Sequence, residues 1–213
     1  GQGFPRNVVI SAAGARNAAA LNALHPALAR RVVRRAIELV RTDLRRVTFA
    51  HVESVRELAS LPHGFGKRRL AGLLAVRSFG EVRLATDELQ IAEYEFLVTV
   101  GECYRPPGLV LESVEPGGHV RVKEDIAWQT APARLLLRGW RAGDAFRPVG
   151  EQREKKLKVL FQEARVPVWQ RNGWPVLESR GKILWSKQFG PAADVAATGS
   201  ESRVLRVRLE DPS

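Results

Sequence analysis

At residues 61–68 the sequence reads LPHGFGKR, and the spacing of apolar residues differs on its two sides. Upstream they recur every three to four residues. Downstream they come in short runs separated by turn residues. A chain whose helical and strand patterns are segregated in this way folds as α+β. Pro62, Gly64 and Gly66 mark the stretch as a linker or domain boundary. The expected organisation is a helical domain over residues 1–64, a hairpin- and strand-rich connecting region over 65–131, and a C-terminal α+β domain with one packed helix over 132–213.

Residues 1–13 read as a loose lead-in or a short strand, and the chain from about Ala15 to about Ala59 is rich in Ala, Leu and Arg. In LHPALARRVVRRAIELVRTDLRR, Pro26 falls near the start, where a helix tolerates it. Val33, Ile37, Val40 and Leu44 then make one apolar stripe. Thr48 reads as the N-cap of a second helix, FAHVESVRELA, with Val52, Val55 and Leu58 on one side.

Beyond the boundary, LAGLLAVRSFGEVRLA predicts two strands around a Ser-Phe-Gly turn. YEFLVTVGE, GLVLESV, HVRVKE, ARLLLRGW, PVLES, KILW and RVLRVRLE continue the strand pattern. In QREKKLKVLFQEA, Leu157, Leu160, Phe161 and Ala164 share a face and predict a helix from about Arg153 to Ala164. PAADVAATGSES reads as a small-residue loop, and no internal repeat is present.

The net charge of +11 points to a polyanion or an anionic surface. Seven Arg lie between positions 30 and 46. On a helix, Arg30, Arg34, Arg41 and Arg45 project on one side, with Arg31 and Arg35 beside them. Like charges at that spacing repel. An anionic partner would relieve the repulsion; a solvated helix surface is the alternative, since Arg is a good helix former. Three of the chain's seven Lys (Lys155, Lys156 and Lys158) follow the Gly143-Asp144 turn and Gly150. Cations do not favour a helix N-terminus, whereas phosphate does. These lysines therefore fit a phosphate backbone, or else an exposed amphipathic helix. Trp185 is expected in the core, with Trp169 and Trp174 open between core and base stacking.

No stretch approaches the roughly 18 apolar residues of a membrane span, and the N-terminus lacks a basic segment leading into an apolar core. The chain has no Met and begins at Gly1, so a processed or excised piece is expected. A single cysteine, Cys103, fits a reducing, cytoplasmic setting. With that one Cys and four scattered His, no metal site is expected. Asp144 beside Arg141 and Arg147 reads as a turn residue rather than a catalytic acid. No nucleophile triad or nucleotide-cradling loop stands out.

The stretch RGWRAGDAFRPVG…KKLKVLFQEARVPVWQRNGWPVL…GKILW resembles the C-terminal domain of bacterial tRNA(Ile)-lysidine synthases. The likeness runs through Arg138, Gly143, Asp144, Pro148, Gly150, Lys155, Lys156, Leu157, Lys158, Leu160, Phe161, Pro167, Arg171, Pro175 and Trp185. Residues from about 20 onward look like the family's helical substrate-binding domain, followed by its hairpin. The chain departs from the family at Ala145, where Arg is usual, and at Trp185-Ser186-Lys187, with Gly at 190.

The resemblance implies an enzyme that adenylates the wobble cytidine of an isoleucine tRNA with ATP and magnesium, then displaces AMP with lysine. The family's Ser-Gly-Gly-x-Asp-Ser loop has no counterpart here, the one Gly-Gly lying at 117–118. This piece is therefore expected to position tRNA(Ile), with no catalytic residue and no cofactor of its own. ATP, magnesium and lysine would belong to an N-terminal catalytic domain of the same polypeptide. The helical part would meet the anticodon-stem side through Arg30, Arg31, Arg34, Arg35, Arg41 and Arg45. The C-terminal part would meet the acceptor stem through Arg138, Arg141, Arg147, Lys155, Lys156, Lys158 and Arg171. A cytoplasmic location without membrane contact is expected, and a homodimer is left open. The alternatives are a non-catalytic basic module for RNA or acidic proteins, and a free-standing enzyme built on Asp144 and Glu163.

Overall fold

The computed structural model describes residues 7–10, 19–41, 43–62, 64–86, 93–105, 107–116, 119–127 and 134–210. Most of the expected lead-in segment, the start of the first helical region, Gly117-Gly118 and Trp128 lie outside them. The chain forms two compact units, Gly1–Gln90 and Ile91–Ser213. The fold is α+β, with most of its helix near the N-terminus and strands beyond.

The first unit contains β1 (Asn7–Ile10), α1 (Ala19–Ala23), α2 (Pro26–Arg41), α3 (Phe49–Ser60), β2 (Phe65–Leu70), β3 (Leu73–Ser78) and β4 (Glu81–Ala85). The strands form one antiparallel sheet in the order β1-β4-β3-β2. Helix α2 starts at Pro26, as the ring's fixed φ and missing N–H allow. It buries Ala29, Val33, Ala36, Ile37 and Val40, so the expected stripe is the packed face. The helix stops at Arg41, however, and Leu44 packs against the core from the turn beyond it.

Helix α3 begins at the Thr48 cap. The Thr48 side chain accepts from the His51 amide, and His51 Nδ1 accepts from the Thr48 amide, a reciprocal box in which His takes the usual place of Glu. Val52, Val55 and Leu58 of α3 share a core with Leu70, Leu73, Ala75, Val82 and Leu84 of the sheet.

The second half of the stretch expected to be a linker, residues 65–68, belongs to β2, which pairs along its length with β3. Gly66 serves close packing there. A Cβ at this position would lie 2.6 Å from Leu58 Cδ1 and 3.1 Å from Leu61 Cδ1, so a side chain here would force those leucine ends to move.

The second unit contains β5 (Glu95–Val98), β6 (Cys103–Tyr104), β7 (Leu109–Val114), β8 (Asp125–Ala127), β9 (Leu135–Gly139), β10 (Ala145–Phe146), β11 (Lys155–Lys156), α4 (Leu157–Glu163), β12 (Pro175–Ser179), β13 (Lys182–Ser186), β14 (Gly190–Pro191) and β15 (Val204–Leu209). One sheet runs β14-β13-β12-β9-β5 and another β6-β7-β15-β8, while β10 and β11 form a two-stranded ribbon. Residues 65–131 are thus divided between the two units. The hairpin completes the sheet under the helices, and β5 to β8 join the C-terminal strands.

Both larger sheets and α4 contribute to one hydrophobic core, with Leu111, Leu137, Phe161, Leu177 and Leu205 all at 1% exposure or less. Phe161 sits among Trp140, Trp174 and Phe189, with ring centroids 5.1 to 5.9 Å apart. HVRVKE forms no strand. The carboxylate of Asp125 accepts from the Arg121 amide, and the Glu124 and Asp125 amides donate to the Arg121 carbonyl, so the segment closes into a turn instead. Arg206 then meets the fully buried Asp125 carboxylate with two bonds of 2.7 Å, tying β15 to β8.

Candidate nucleic-acid interface

The cationic residues of α2 divide by their partners. Arg30 is half-buried, donates to Glu53 at 2.8 Å and stacks 4.9 Å over the Phe49 ring. Arg35 pairs with Glu38 one turn along. Arg41 donates to the Ala71 carbonyl and reaches Asp43 at 3.4 Å. Arg31 and Arg34 are exposed and have no acidic partner among the described residues. Arg45 was expected on the helix face but lies in the turn after α2, where it too is exposed. A cation already bonded to a carboxylate offers an RNA little new charge. Of the six arginines expected to meet RNA, Arg31, Arg34 and Arg45 therefore remain candidates.

In the second unit the Arg141–Asp144 turn is built around a buried arginine. Arg138, only 4% exposed, projects from β9 and donates to both Asp144 oxygens, at 2.8 and 3.0 Å, and to Glu178 at 2.6 Å. Burial disfavours its charge. The hydrogen bonds to Asp144 and Glu178 outweigh that, and the pKa of Arg138 is raised. Asp144 also accepts from the Arg141 amide at 2.7 Å, and its carbonyl accepts from Leu157 at the start of α4. Gly143 and Gly150 take positive φ of 101° and 91°, the conformation that lets the turn close and the chain swing back. Asp144 thus holds a turn and leaves no free carboxylate for acid–base work.

Of the three lysines, only Lys158 sits within a helix as expected. Helix α4 begins at Leu157 and has seven residues, while Lys155 and Lys156 pair with Phe146 and Ala145 in the ribbon ahead of it. The Lys155 ammonium is held by Glu151 at 2.9 Å and by Glu163 at 3.0 Å. These carboxylates hold its pKa above the ordinary value. Lys156 and Lys158 are exposed and lack acidic partners among the described residues.

Arg141 is exposed but paired with Glu95 at 2.6 Å. Arg147 is exposed, and its backbone is pinned by the Ala193 amide. Arg171 is 8% exposed and turns inward: Nε and Nη2 both donate to the Val166 carbonyl, with the guanidinium 5.3 Å from the Phe161 ring. Arg138 and Arg171 are therefore interior groups rather than surface contacts.

Two of the tryptophans are also interior. Trp185 donates to the Lys123 carbonyl and Trp174 to the Ser186 hydroxyl, and both are 3% exposed. Trp169 is half-buried.

Sequence reasoning missed two cations. Arg153 and Lys182 line an open depression of about 760 Å³ together with Arg147, Gly143, Asp144 and Gly181. They stand far apart in the chain and belong to no periodic pattern, so nothing local links them. Among the described residues no group of three or more His, Cys, Asp or Glu converges as metal ligands, and no helix is long and apolar enough to cross a membrane.

Residues 17–83 match the family described as TilS substrate binding domain, and residues 135–209 match the TilS substrate C-terminal domain. A tRNA(Ile)-lysidine synthase from Solibacter usitatus (strain Ellin6076) is 40% identical over 197 residues, covering 87% of this chain and 44% of that protein. One from Geobacter sulfurreducens (strain ATCC 51573 / DSM 12127 / PCA) is 32% identical over 194 residues, covering 85% and 41%. The chain thus spans less than half the length of these relatives. A crystal structure of the TILS C-terminal domain aligns with a TM-score of 0.47 at 26% identity, covering 56% of this chain and 99% of that one.

Proposed function

The chain belongs to the tRNA(Ile)-lysidine synthase family, whose substrate-binding and C-terminal domains it carries, and from that premise we propose that it seats tRNA(Ile) for a ligase that attaches lysine to the wobble cytidine. Adenylation by ATP with magnesium, and attack by lysine, fall to a catalytic part of the same polypeptide outside these residues, in the cytoplasm. No described residue cluster here fits a magnesium ion, and no chemical step is assigned to this chain.

The observation that carries the reading is the presence, in both matched domains, of exposed cations with no carboxylate partner among the described residues. Among them are Arg31, Arg34 and Arg45 in the first and Arg147, Arg153, Lys156, Lys158 and Lys182 in the second. Folded RNA presents phosphates and 2′-hydroxyls at fixed spacing, and cations on rigid elements suit it. The helical unit would lie on the anticodon-stem side and the C-terminal unit on the acceptor stem.

The test is binding of a tRNA(Ile) transcript to the 213-residue chain at rising salt. Affinity is expected to fall about tenfold or more between 50 and 200 mM, since each neutralised phosphate releases counterions. Equal competition by heparin and by tRNA would replace this reading with that of a general basic module for RNA or acidic proteins.

A further inference from the structure

The depression in the second unit has two walls. One is the turn through Gly143, Asp144 and Arg147; the other is the hairpin turn at Gly181 and Lys182 between β12 and β13. The segment carrying Arg153 and Glu154, and Ala192 with Asp194, complete the lining, so three carboxylates stand among the three cations. Arg138 is bonded to both walls. Its Nη groups hold Asp144, whose carboxylate closes the first turn on the Arg141 amide. Its Nε holds Glu178, whose other oxygen accepts from the Gly181 amide at 3.2 Å. Glu178 sits where the register of β12 and β13 shifts, so the hairpin is irregular just where this carboxylate braces it. The chain of bonds runs without a break from the Arg141 amide through Asp144, Arg138 and Glu178 to the Gly181 amide.

We propose that Arg138 is a positioning residue for RNA: it fixes the separation of these two walls, and with it the spacing of Arg147 and Lys182, on which the sugar–phosphate backbone rests. The inference rests on the RNA-seating reading above. A planar guanidinium holds its carboxylates in a fixed fork geometry, whereas an ammonium is a point charge on a flexible stem with three rotatable donors. Arg138 itself touches no ligand, because every side of its head faces Asp144, Glu178 or the Gly139 carbonyl. The three cations that line the depression have no carboxylate bonded to them among the described residues. The separation of Arg147 and Lys182 is therefore set by the backbone of the two turns rather than by ion pairs of their own.

The experiment is a double-mutant cycle on the full chain, read by tRNA(Ile)-transcript binding against salt, with thermal unfolding and amide exchange followed in parallel. Arg138→Lys is expected to weaken binding about tenfold at fixed salt and to lower the slope of log affinity on log salt by about one to two. It should also speed exchange at the Arg141 and Gly181 amides together. Arg147→Ala with Lys182→Ala should produce a similar loss, and adding Arg138→Lys to that pair should cost little more, because the cations it positions are gone. Additive losses, or unchanged binding despite faster exchange in both turns, would reduce Arg138 to a stabilising role and overturn the proposal. Should Arg138→Lys fail to fold, Glu178→Gln frees the hairpin wall while keeping the pair with Asp144, and it carries the same expectations. A parent chain that binds the transcript without salt dependence would overturn the RNA reading itself, a result seen before any variant is made.

Discussion

Arg138 and Asp144, six residues apart in the chain, form a two-pronged ion pair at 2.8 and 3.0 Å with side-chain exposures of 5% and 12%. A pair so shielded from water is costly to break, because the surviving charge keeps its desolvation without its partner. Arg138→Met strands both Asp144 and Glu178 and is expected to destabilise the second unit by about 3–5 kcal/mol. Adding Glu178→Gln removes one of the stranded charges and should recover part of that loss. Urea unfolding of the single and double variants checks both statements.

The division of α2 arginines by partner predicts unequal effects on RNA binding. Arg31→Ala and Arg34→Ala should each weaken tRNA binding and lower the salt slope by about one. Arg35→Ala, which removes a cation whose charge Glu38 offsets one turn along, should weaken binding less than either of these. In the second unit Lys155→Ala should leave binding nearly intact, because Glu151 and Glu163 already hold that ammonium. Lys158→Ala should weaken it. Filter binding over a salt series distinguishes the two groups.

Phe161 is fully buried and in ring contact with Trp140, Trp174 and Phe189. Phe161→Ala opens a cavity at the centre of the second core and is expected to cost about 3–5 kcal/mol. The effect should show as an earlier denaturant midpoint in tryptophan fluorescence.

Glu201 accepts hydrogen bonds from the Thr198 and Gly199 amides and from the Thr198 hydroxyl. These bonds, those from the Thr198 amide first, bring its carboxyl from the ordinary 4.5 down to about 2. The folded chain therefore favours the ionised form. Its stabilisation of the 198–201 turn is complete above pH 4.5 and disappears as pH falls through about 2. Carboxyl-carbon NMR of Glu201 should show a midpoint near the lower value, and Thr198→Ala should raise it.

Those elements whose signal is local were legible in the sequence. The α2 stripe, the Thr48 cap, the β3–β4 hairpin, β12, β13, β15 and the buried face of α4 all follow from spacing over a few residues, because side-chain direction repeats every 3.6 positions in a helix and every two in a strand. Gly66 shows where that kind of signal misleads: a glycine that punctuates a linker and one that admits a neighbouring leucine look alike in sequence.

What the sequence determined by itself was the α+β character, the basic surface charge and the pattern of residues that places the chain in its family. Only the tertiary structure decided which cations are free. Arg30 is neutralised by Glu53, Arg141 by Glu95, Arg138 by Glu178 and Lys155 by Glu163, across separations of 23, 46, 40 and 8 residues. Coulomb attraction depends on distance in space and on the water between two charges. Distance along the chain fixes neither until helices and strands have chosen their neighbours.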